Sequence, residues 1–401
     1  MFTLNPRAMR QAYPAELRQI LSVAHAQQDR EWLGYWDGIN PQPTPLYHLP
    51  HMATQLGIAD LAIKDEGVRS PLASFKALGA PIALIRYLRR QWQGECDIAT
   101  LVRGGYRERV RAITVISATD GNHGRALAAA AQSIGCRCVI VIHAQVSDER
   151  AQAIAAYGAE VVRIAGNYDD SVVEAARMAQ VNGWQVVSDT SYAGYEIIPA
   201  DVMQGYSIIM DEAMTQVTQP FTHVFVQGGV GGLAAGVASY IWEHDGAQRP
   251  VLLVVEPTQA DCLYQSALMG APANASGSVD SLMAGLACGE TSPLAWRFLQ
   301  PSIDAFMTID DDAAIVAMRV LAEGRYGDMP MVAGESGVAG VAGVMAIAGD
   351  AQLRHAVQLT AQSRVLCINT EGATAPSVYQ DCVGVAASVV QARQAAWLAQ
   401  R

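Results

Sequence analysis

The chain has 401 residues, and its 27 Lys and Arg against 38 Asp and Glu give a formal net charge of −11. Because 51% of its residues are hydrophobic, it can build large cores and is not a disordered chain, and because it lacks a basic run, neither nucleic acid nor an anionic membrane is an expected partner. Its apolar runs stop short of the about 18 residues that a membrane span needs, and its seven cysteines lack the spacing of a zinc site or a disulfide framework.

The first alternation of strands and helices starts near residue 112. Runs of β-branched residues predict strands over 112–117, 138–142, 160–164 and 184–188, and the segments between them predict helices over 125–134, 148–157 and 169–181. A second series of strands is predicted over 223–226, 251–255, 305–309 and 365–368. Short strands that alternate with helices indicate parallel sheets covered on both faces. We therefore expect an α/β fold with two three-layer αβα domains and mostly parallel sheets.

The boundary between the two series is predicted near the helical stretch 201–214. The segment before Lys76 shows no obvious sheet of its own and is expected to pack on the second series. The predicted division is therefore a large domain made of residues 1–85 and 201–401, with a small α/β domain inserted as residues 86–200.

A run of small residues from Ser70 to Ala80 (SPLASFKALGA) predicts the start of a helix, with Lys76 in its first turns. A cation near the positive end of a helix is not stabilised by the helix dipole, so the local field favours the neutral amine. A neutral lysine amine can attack a carbonyl and form a Schiff base. Taken alone, the segment is also compatible with an ordinary solvated lysine.

The turn after the first strand reads SATDGNHG from Ser117 to Gly124. Asp120 is an acid–base candidate, and Asn122 offers both a donor and an acceptor, which suits a phenolic oxygen. His123 is either a general base or a brace for the turn. An ordinary strand–helix turn remains the alternative for this segment.

Four glycines within five positions, Gly228–Gly232 (GGVGG), follow a predicted strand and open a predicted helix. Such a loop lets backbone N–H groups converge on an anion, so it predicts a phosphate cradle. The GK[ST] ending of a nucleoside-triphosphate loop is missing. Glu256 follows the next strand, so a dinucleotide site stays open on this segment alone.

In this order, Lys76, the DGNHG turn and GGVGG resemble the pyridoxal-phosphate (PLP) enzymes of the tryptophan-synthase β type, called fold type II. Leu78 stands where dehydratases of that group carry Arg, and Asp120 precedes Gly-Asn-His. Both departures are similar to the diaminopropionate ammonia-lyase family. Further segments that resemble this family lie at 167–170, 188–196, 203–206, 283–290, 334–337 and 369–372.

The resemblance implies that Lys76 binds PLP as a Schiff base and that the large domain holds the cofactor. Phe75 would pack on the pyridine ring, Asn122 would face the phenolic oxygen, and Thr370 would hydrogen-bond the ring nitrogen. A hydroxyl there does not enforce ring protonation, which favours prompt loss of a β leaving group. The residues implied to bind the phosphate are Gly228, Gly229, Val230, Gly231 and Gly232.

The implied reaction is α,β-elimination of ammonia from D- or L-2,3-diaminopropionate, giving pyruvate and two ammonia. Lys76 would act as base on one face of the cofactor and Asp120 on the other, while Asp189 would meet the distal ammonium. Tyr168 and Ser336 are further substrate contacts, with packing and helix capping as their respective alternatives. The resemblance also implies a homodimer that acts on a small amino acid.

Other functions remain open at this point. The nearest is a PLP-dependent dehydratase or β-replacement enzyme acting on serine, threonine or another β-substituted alanine. A non-catalytic amino-acid-binding protein on the same fold is a second alternative, and a nicotinamide dehydrogenase is a third. The scattered cysteines and the absence of an apolar segment near the N-terminus indicate a cytoplasmic protein.

Overall fold

The computed structural model describes residues 1–119 and 121–400. In chain order its strands are β1 (Phe2–Leu4), β2 (Leu46–His48), β3 (Asp60–Asp65), β4 (Thr114–Ala118), β5 (Arg137–Ile142), β6 (Glu160–Arg163), β7 (Gln185–Val186), β8 (His223–Gln227), β9 (Val251–Pro257), β10 (Ala305–Ile309) and β11 (Arg364–Asn369).

The helices of the N-terminal half are α1 (Ala15–Arg18), α2 (Val23–Leu33), α3 (Pro50–Leu56), α4 (Lys76–Gln91), α5 (Ile98–Val102), α6 (Arg107–Val110), α7 (Asn122–Ile134), α8 (Asp148–Ala155) and α9 (Tyr168–Asn182). Those of the C-terminal half are α10 (Ile197–Tyr206), α11 (Ile208–Gln216), α12 (Gly232–Asp245), α13 (Cys262–Met269), α14 (Pro293–Ser302), α15 (Asp311–Glu323), α16 (Ala339–Ala348), α17 (Ala351–Ala356), α18 (Pro376–Val383) and α19 (Ala387–Leu398). None of the helices within the described residues is long and apolar enough to cross a membrane.

The chain divides into two compact units. The large unit comprises Met1–Val23, Pro43–Val68 and Ile209–Arg401, and the small unit comprises Ala24–Gln42 and Arg69–Ile208. The sequence-based division assigned residues 1–85 and 201–401 to the large domain, so it cut α4 after its tenth residue, whereas all of α4 belongs to the small unit, as do Ala24–Gln42 and residues 201–208. In the structure α4 packs on α7 and α10, two helices of the small unit, and those contacts decide its place.

The sheet of the large unit has the strand order β1-β10-β9-β8-β11-β3-β2. Its inner pairs are parallel, and the edge strands β1 and β2 pair antiparallel with their neighbours. Every residue of β8 and of β10 is buried. Since successive side chains of a strand point to opposite faces, both faces of this sheet are covered, as a three-layer αβα arrangement requires.

Three strands of this sheet come from the segment before Lys76, for which the sequence predicted no sheet. Two of them, β1 and β2, have only three residues and carry no readable period. The third, β3, reads DLAIKD, and its lysine obscures the apolar pattern. Lys64 is fully buried there, with its Nζ 2.8 Å from Glu212 Oε2 and 2.8 Å from the Thr44 carbonyl oxygen. A buried charge is tolerated because these partners satisfy it.

The sheet of the small unit has the strand order β6-β5-β4-β7, and all of its pairs are parallel. Five consecutive residues of β5, Cys138 to Ile142, are buried, so helices cover both faces here as well. The predicted parallel α/β fold is confirmed in both units. The predicted strand over 184–188 is shorter, because only Gln185 and Val186 pair with β4.

Candidate active site

Two polar side chains meet at one edge of the small sheet. The parallel neighbours β4 and β7 end at the same edge, and His123 follows β4 while Asp189 follows β7. The carboxyl edge of a parallel sheet is where ligand-binding side chains collect. His123 Nδ1 lies 3.8 Å from Asp189 Oδ2 as a result.

Lys76 joins this pair from the first position of α4. Its Nζ donates a hydrogen bond of 2.5 Å to Asp189 Oδ2, and the two side chains are 19% and 21% exposed. A carboxylate at this distance favours the ammonium form, so the sequence-based expectation of a neutral amine from the helix dipole alone is incomplete. The partial exposure leaves both groups open to a ligand.

Asp189 is the charged partner in this arrangement. Burial alone would raise the pKa of its carboxyl, but the positive charge of Lys76 and the hydrogen bond from its Nζ hold that pKa well below its usual range. Asp189 is therefore ionised throughout the neutral range and presents a fixed negative charge at the edge of the sheet.

His123 is buried, and a backbone carbonyl group rather than Asp189 orients its ring. Its Nε2 lies 2.9 Å from the carbonyl oxygen of Val187, which can only accept, so Nε2 carries the proton. Burial lowers the pKa of the imidazole, so the ring is neutral and Nδ1 keeps its lone pair. This geometry favours the bracing role over the role of a general base.

Two aromatic rings flank the lysine amine. Lys76 Nζ lies 5.1 Å from the centroid of the Phe75 ring and 5.4 Å from that of the Tyr206 ring, and the two rings are 4.7 Å apart. Gly79 makes room for Tyr206, because a Cβ there would stand 2.4 Å from the Tyr206 ring. Tyr206 belongs to the segment 203–206, which resembles the family, but nothing in that segment indicated that its ring would lie beside Lys76.

The turn that presents Lys76 is held in an unusual conformation. Ala73 has φ = 52°, in the left-handed region that residues with a side chain rarely adopt. Ser70 and Ser74 hold the turn: the Ala73 N–H donates to the Ser70 carbonyl oxygen at 2.9 Å and the Lys76 N–H to Ser74 Oγ at 3.3 Å. Such local strain is typical of functional sites.

The large unit places a second set of predicted residues at one edge of its own sheet. The glycine-rich loop follows β8 and Thr370 follows β11, and these two strands are parallel neighbours. Gly231 needs its left-handed φ of 103° to turn the chain into α12, whose first residue is Gly232. The first N–H groups of a helix have no acceptor within it, so the start of α12 offers N–H donors where the sequence predicts the phosphate cradle, which stays a prediction.

Ser336 lies at the same edge and is buried. Its Oγ accepts a hydrogen bond of 2.9 Å from the Gly285 N–H, and its own N–H donates to Glu371 Oε1 at 3.1 Å. Helix α16 is capped by Val338, so the alternative that Ser336 caps a helix is wrong. The residue ties two loops of the large unit together, and its contact with substrate stays a prediction.

Glu256, which left a dinucleotide site open, is committed to the fold. Its buried carboxyl accepts hydrogen bonds from the N–H groups of Leu263 at 2.9 Å and Tyr264 at 2.7 Å, in the first turn of α13. Burial raises the pKa of this carboxyl well above its usual range. A side chain satisfied in this way is not positioned to bind a ribose.

Three further residues are predicted from the sequence to belong to the site. Asn122 is the first residue of α7, and Tyr168 is the first residue of α9 and is 39% exposed. Asp120 lies outside the described residues. Within the described part of the chain no group of His, Cys, Asp or Glu side chains could hold a metal ion.

The chain is similar to proteins of known function. Residues 39–371 match the family model of pyridoxal-phosphate dependent enzymes. Over 355 residues the chain is 40% identical to the diaminopropionate ammonia-lyase of Salmonella typhimurium. The aligned region covers 85% of this chain and 87% of the relative.

Solved structures of diaminopropionate ammonia lyase are also similar to this chain. The crystal structure of holo diaminopropionate ammonia lyase from Escherichia coli matches with a TM-score of 0.87 and 35% identity over 96% of both chains. A second structure of that enzyme, in complex with an aminoacrylate-PLP azomethine reaction intermediate, matches with a TM-score of 0.85, 35% identity and the same coverage. These matches confirm both the resemblance and the fold class that the sequence predicted.

Proposed function

Because the chain belongs to the pyridoxal-phosphate dependent enzymes and, among them, to the diaminopropionate ammonia-lyase family, we propose that it eliminates ammonia from 2,3-diaminopropionate. The products are pyruvate and two ammonia. The observation that carries this proposal is the pair of Lys76 and Asp189, 2.5 Å apart and partly exposed. An amine that can bind a carbonyl stands there beside a carboxylate that can hold a second ammonium.

The residues of the chain fit PLP. The chain has two lysines, and Lys64 is fully buried against Glu212 and Thr44, so Lys76 is the amine available to an aldehyde. We propose that the loop Gly228–Gly232 holds the phosphate and that Thr370 faces the ring nitrogen. When bound, PLP withdraws electrons from the α-carbon of an amino acid and so makes its α-proton acidic.

The side chains of the small unit have separate roles in the proposed reaction. Lys76 takes the α-proton from one side once its amine is free. The ionised Asp189 attracts the distal ammonium of the substrate and orients it, which serine or threonine would not need. Phe75 and Tyr206 flank the Lys76 amine and restrict its position. Asn122 would face the phenolic oxygen of PLP, and we propose Tyr168 and Ser336 as further substrate contacts.

The direct test is a product assay on the purified protein supplied with PLP. Pyruvate and ammonia are measured with D- and L-diaminopropionate, D- and L-serine and L-threonine as separate substrates. We expect two ammonia for each pyruvate with diaminopropionate and slower release with the hydroxy amino acids. Faster turnover of serine or threonine would favour the dehydratase alternative, and no turnover of any substrate would favour a binding protein.

The second proposed base is Asp120. A base on each face of the cofactor would allow both enantiomers of the substrate to react. We expect Asp120→Asn to lower kcat for one enantiomer by about 10²-fold or more, the usual contribution of a general base, with a much smaller effect on the other. Steady-state rates with D- and L-diaminopropionate measure this. Equal loss for both enantiomers would remove the two-base proposal while leaving the elimination itself in place.

The phosphate cradle gives a prediction that does not depend on turnover. A Cβ at Gly228 would stand 2.6 Å from Val254 Cγ1 and 2.7 Å from Glu256 Cγ, so Gly228→Ala must shift the loop. We expect the Kd for PLP to rise by about tenfold or more, because the N–H groups lose their alignment. Fluorescence titration with PLP measures this. Gly349→Ala is the matched control, since a Cβ there meets nothing closer than 3.5 Å; a shared change would show a general loss of stability.

Two broader features are proposed with the function. We propose a homodimer, supported by the exposed apolar side chains of Leu4, Leu268 and Met269 on β1 and α13, two elements in contact. We also propose that the protein works in the cytoplasm, in keeping with seven cysteines that are all free thiols. Sedimentation of the holoenzyme tests the first, and cell fractionation tests the second.

A further inference from the structure

The C-terminal half of α4 lines a cavity of about 430 Å³ in the small unit. Arg86, Arg89 and Arg90 contribute to its wall, together with Trp32 and His25, and no acidic residue is found among the described residues that line it. Three arginines therefore line one cavity in a chain whose net charge is −11. The charge of the wall points to an anionic ligand.

Buried carboxylates behind the wall fix two of these arginines. Arg86 donates from Nε and Nη2 to Asp29 at 2.9–3.1 Å, and Arg90 Nη2 donates to Asp201 Oδ2 at 2.6 Å. Asp29 and Asp201 are buried, whereas the Arg90 side chain is 42% exposed. A guanidinium has five N–H donors, so the bond to Asp201 orients Arg90 and leaves donors that can face the cavity.

The third arginine, Arg89, stacks on the ring of Trp32. Its Cζ lies 5.0 Å from the centroid of Trp32, and no ion pair between Arg89 and a carboxylate is found among the described residues. Favourable charge placement at the end of a helix accounts for basic residues in the last turn of α4. It does not account for the stacking on a buried Trp or for the cavity beside it. A half-buried cation of this kind gains from an anion that completes its surroundings.

We propose that this cavity binds a small phosphate ester, with Arg89 and Arg90 on the phosphate. Arginine forks match phosphate oxygens with two hydrogen bonds, which lysine cannot do. The cavity lies within the range of about 300–1,000 Å³ that is typical of small-molecule sites, so it has room for an organic group besides the phosphate. The site involves none of the residues placed at the proposed PLP site.

The test is calorimetric titration of the PLP-loaded enzyme, at low salt, with phenyl phosphate and with inorganic phosphate. We expect saturable binding of phenyl phosphate, tighter than that of inorganic phosphate. Arg89→Ala should weaken it by at least about tenfold, the effect of a lost charge-assisted hydrogen bond. Arg137→Ala is the matched control, because Arg137 also lies 5.0 Å from a Trp ring in the same unit but does not line the cavity.

A second variant, Arg89→Gln, guards against misfolding, and thermal melting of each variant verifies that it is folded. No saturable binding to the parent at millimolar phenyl phosphate, or equal affinity in the parent and both Arg89 variants, overturns the site. Tighter binding of inorganic phosphate than of phenyl phosphate would refute the proposal that the ligand is a phosphate ester. The titration reads binding alone, so its failure leaves the proposed elimination activity untouched.

Discussion

Lys76→Ala is expected to lower turnover of diaminopropionate by about 10³-fold or more, because it removes both the amine that binds the cofactor and the proposed base. Only two lysines occur in the chain, which makes a second readout unusually clear. Borohydride reduction of the PLP-loaded parent should fix the cofactor on the peptide that contains Lys76. Lys64 should stay unlabelled, since its amine is buried in hydrogen bonds to Thr44, Glu212 and Gln216.

Lys76→Arg is the matched control for this result. A guanidinium keeps the positive charge beside Asp189 but neither forms a Schiff base nor gives up its proton near neutral pH. We therefore expect Lys76→Arg to be as inactive as Lys76→Ala, with the fold intact by thermal melting. Turnover by either variant at the rate of the parent, or a label on Lys64, would refute the role given to Lys76.

Asp189→Asn is expected to lower kcat for both enantiomers of diaminopropionate by about 10²-fold or more. The variant keeps the shape of the side chain and removes the charge that pairs with Lys76 and with the substrate ammonium. The pKa of Asp189 lies well below its usual range, so the carboxylate is charged at every pH above about 4. The loss should therefore be equally large at pH 6 and pH 9 in steady-state assays.

A substrate without a second ammonium separates the two roles of Asp189. If the carboxylate orients the distal ammonium, Asp189→Asn should affect L-serine turnover much less than diaminopropionate turnover. Glu160→Gln is the matched control, because it removes a carboxylate of the small unit from an exposed pair with Arg137 and should leave kcat unchanged. Equal losses for serine and diaminopropionate would assign Asp189 to Lys76 alone.

Local sequence was sufficient to predict most of the fold. The strands β5, β8 and β9 are nearly unbroken apolar runs, as expected for strands buried on both faces, so they stand out without any tertiary information. The strand β3 does not, because Lys64 in its middle reads as exposed. Only the packing of Glu212 and Thr44 around Lys64 makes that position an interior one.

The residues of the candidate site, like the strands, were predictable from local sequence only in part. Motif order pointed to Lys76 and to the loop Gly228–Gly232, because a helix start and a glycine-rich turn are local features whose physics is set by neighbouring residues. The contact between Lys76 and Asp189 joins residues 113 positions apart. It depends on the parallel pairing of β4 with β7 and on where α4 lies.

The sequence by itself determined the α/β class and the family, and it predicted Lys76 as the cofactor lysine, because each is encoded in short segments. The tertiary structure decided that Lys76 faces a carboxylate instead of remaining a lone amine at a helix start. It also decided that Tyr206 lies beside Lys76, since only the close crossing permitted by Gly79 brings that ring there. The charge state and surroundings of a side chain depend on atoms that are distant in the chain, and no local pattern carries that information.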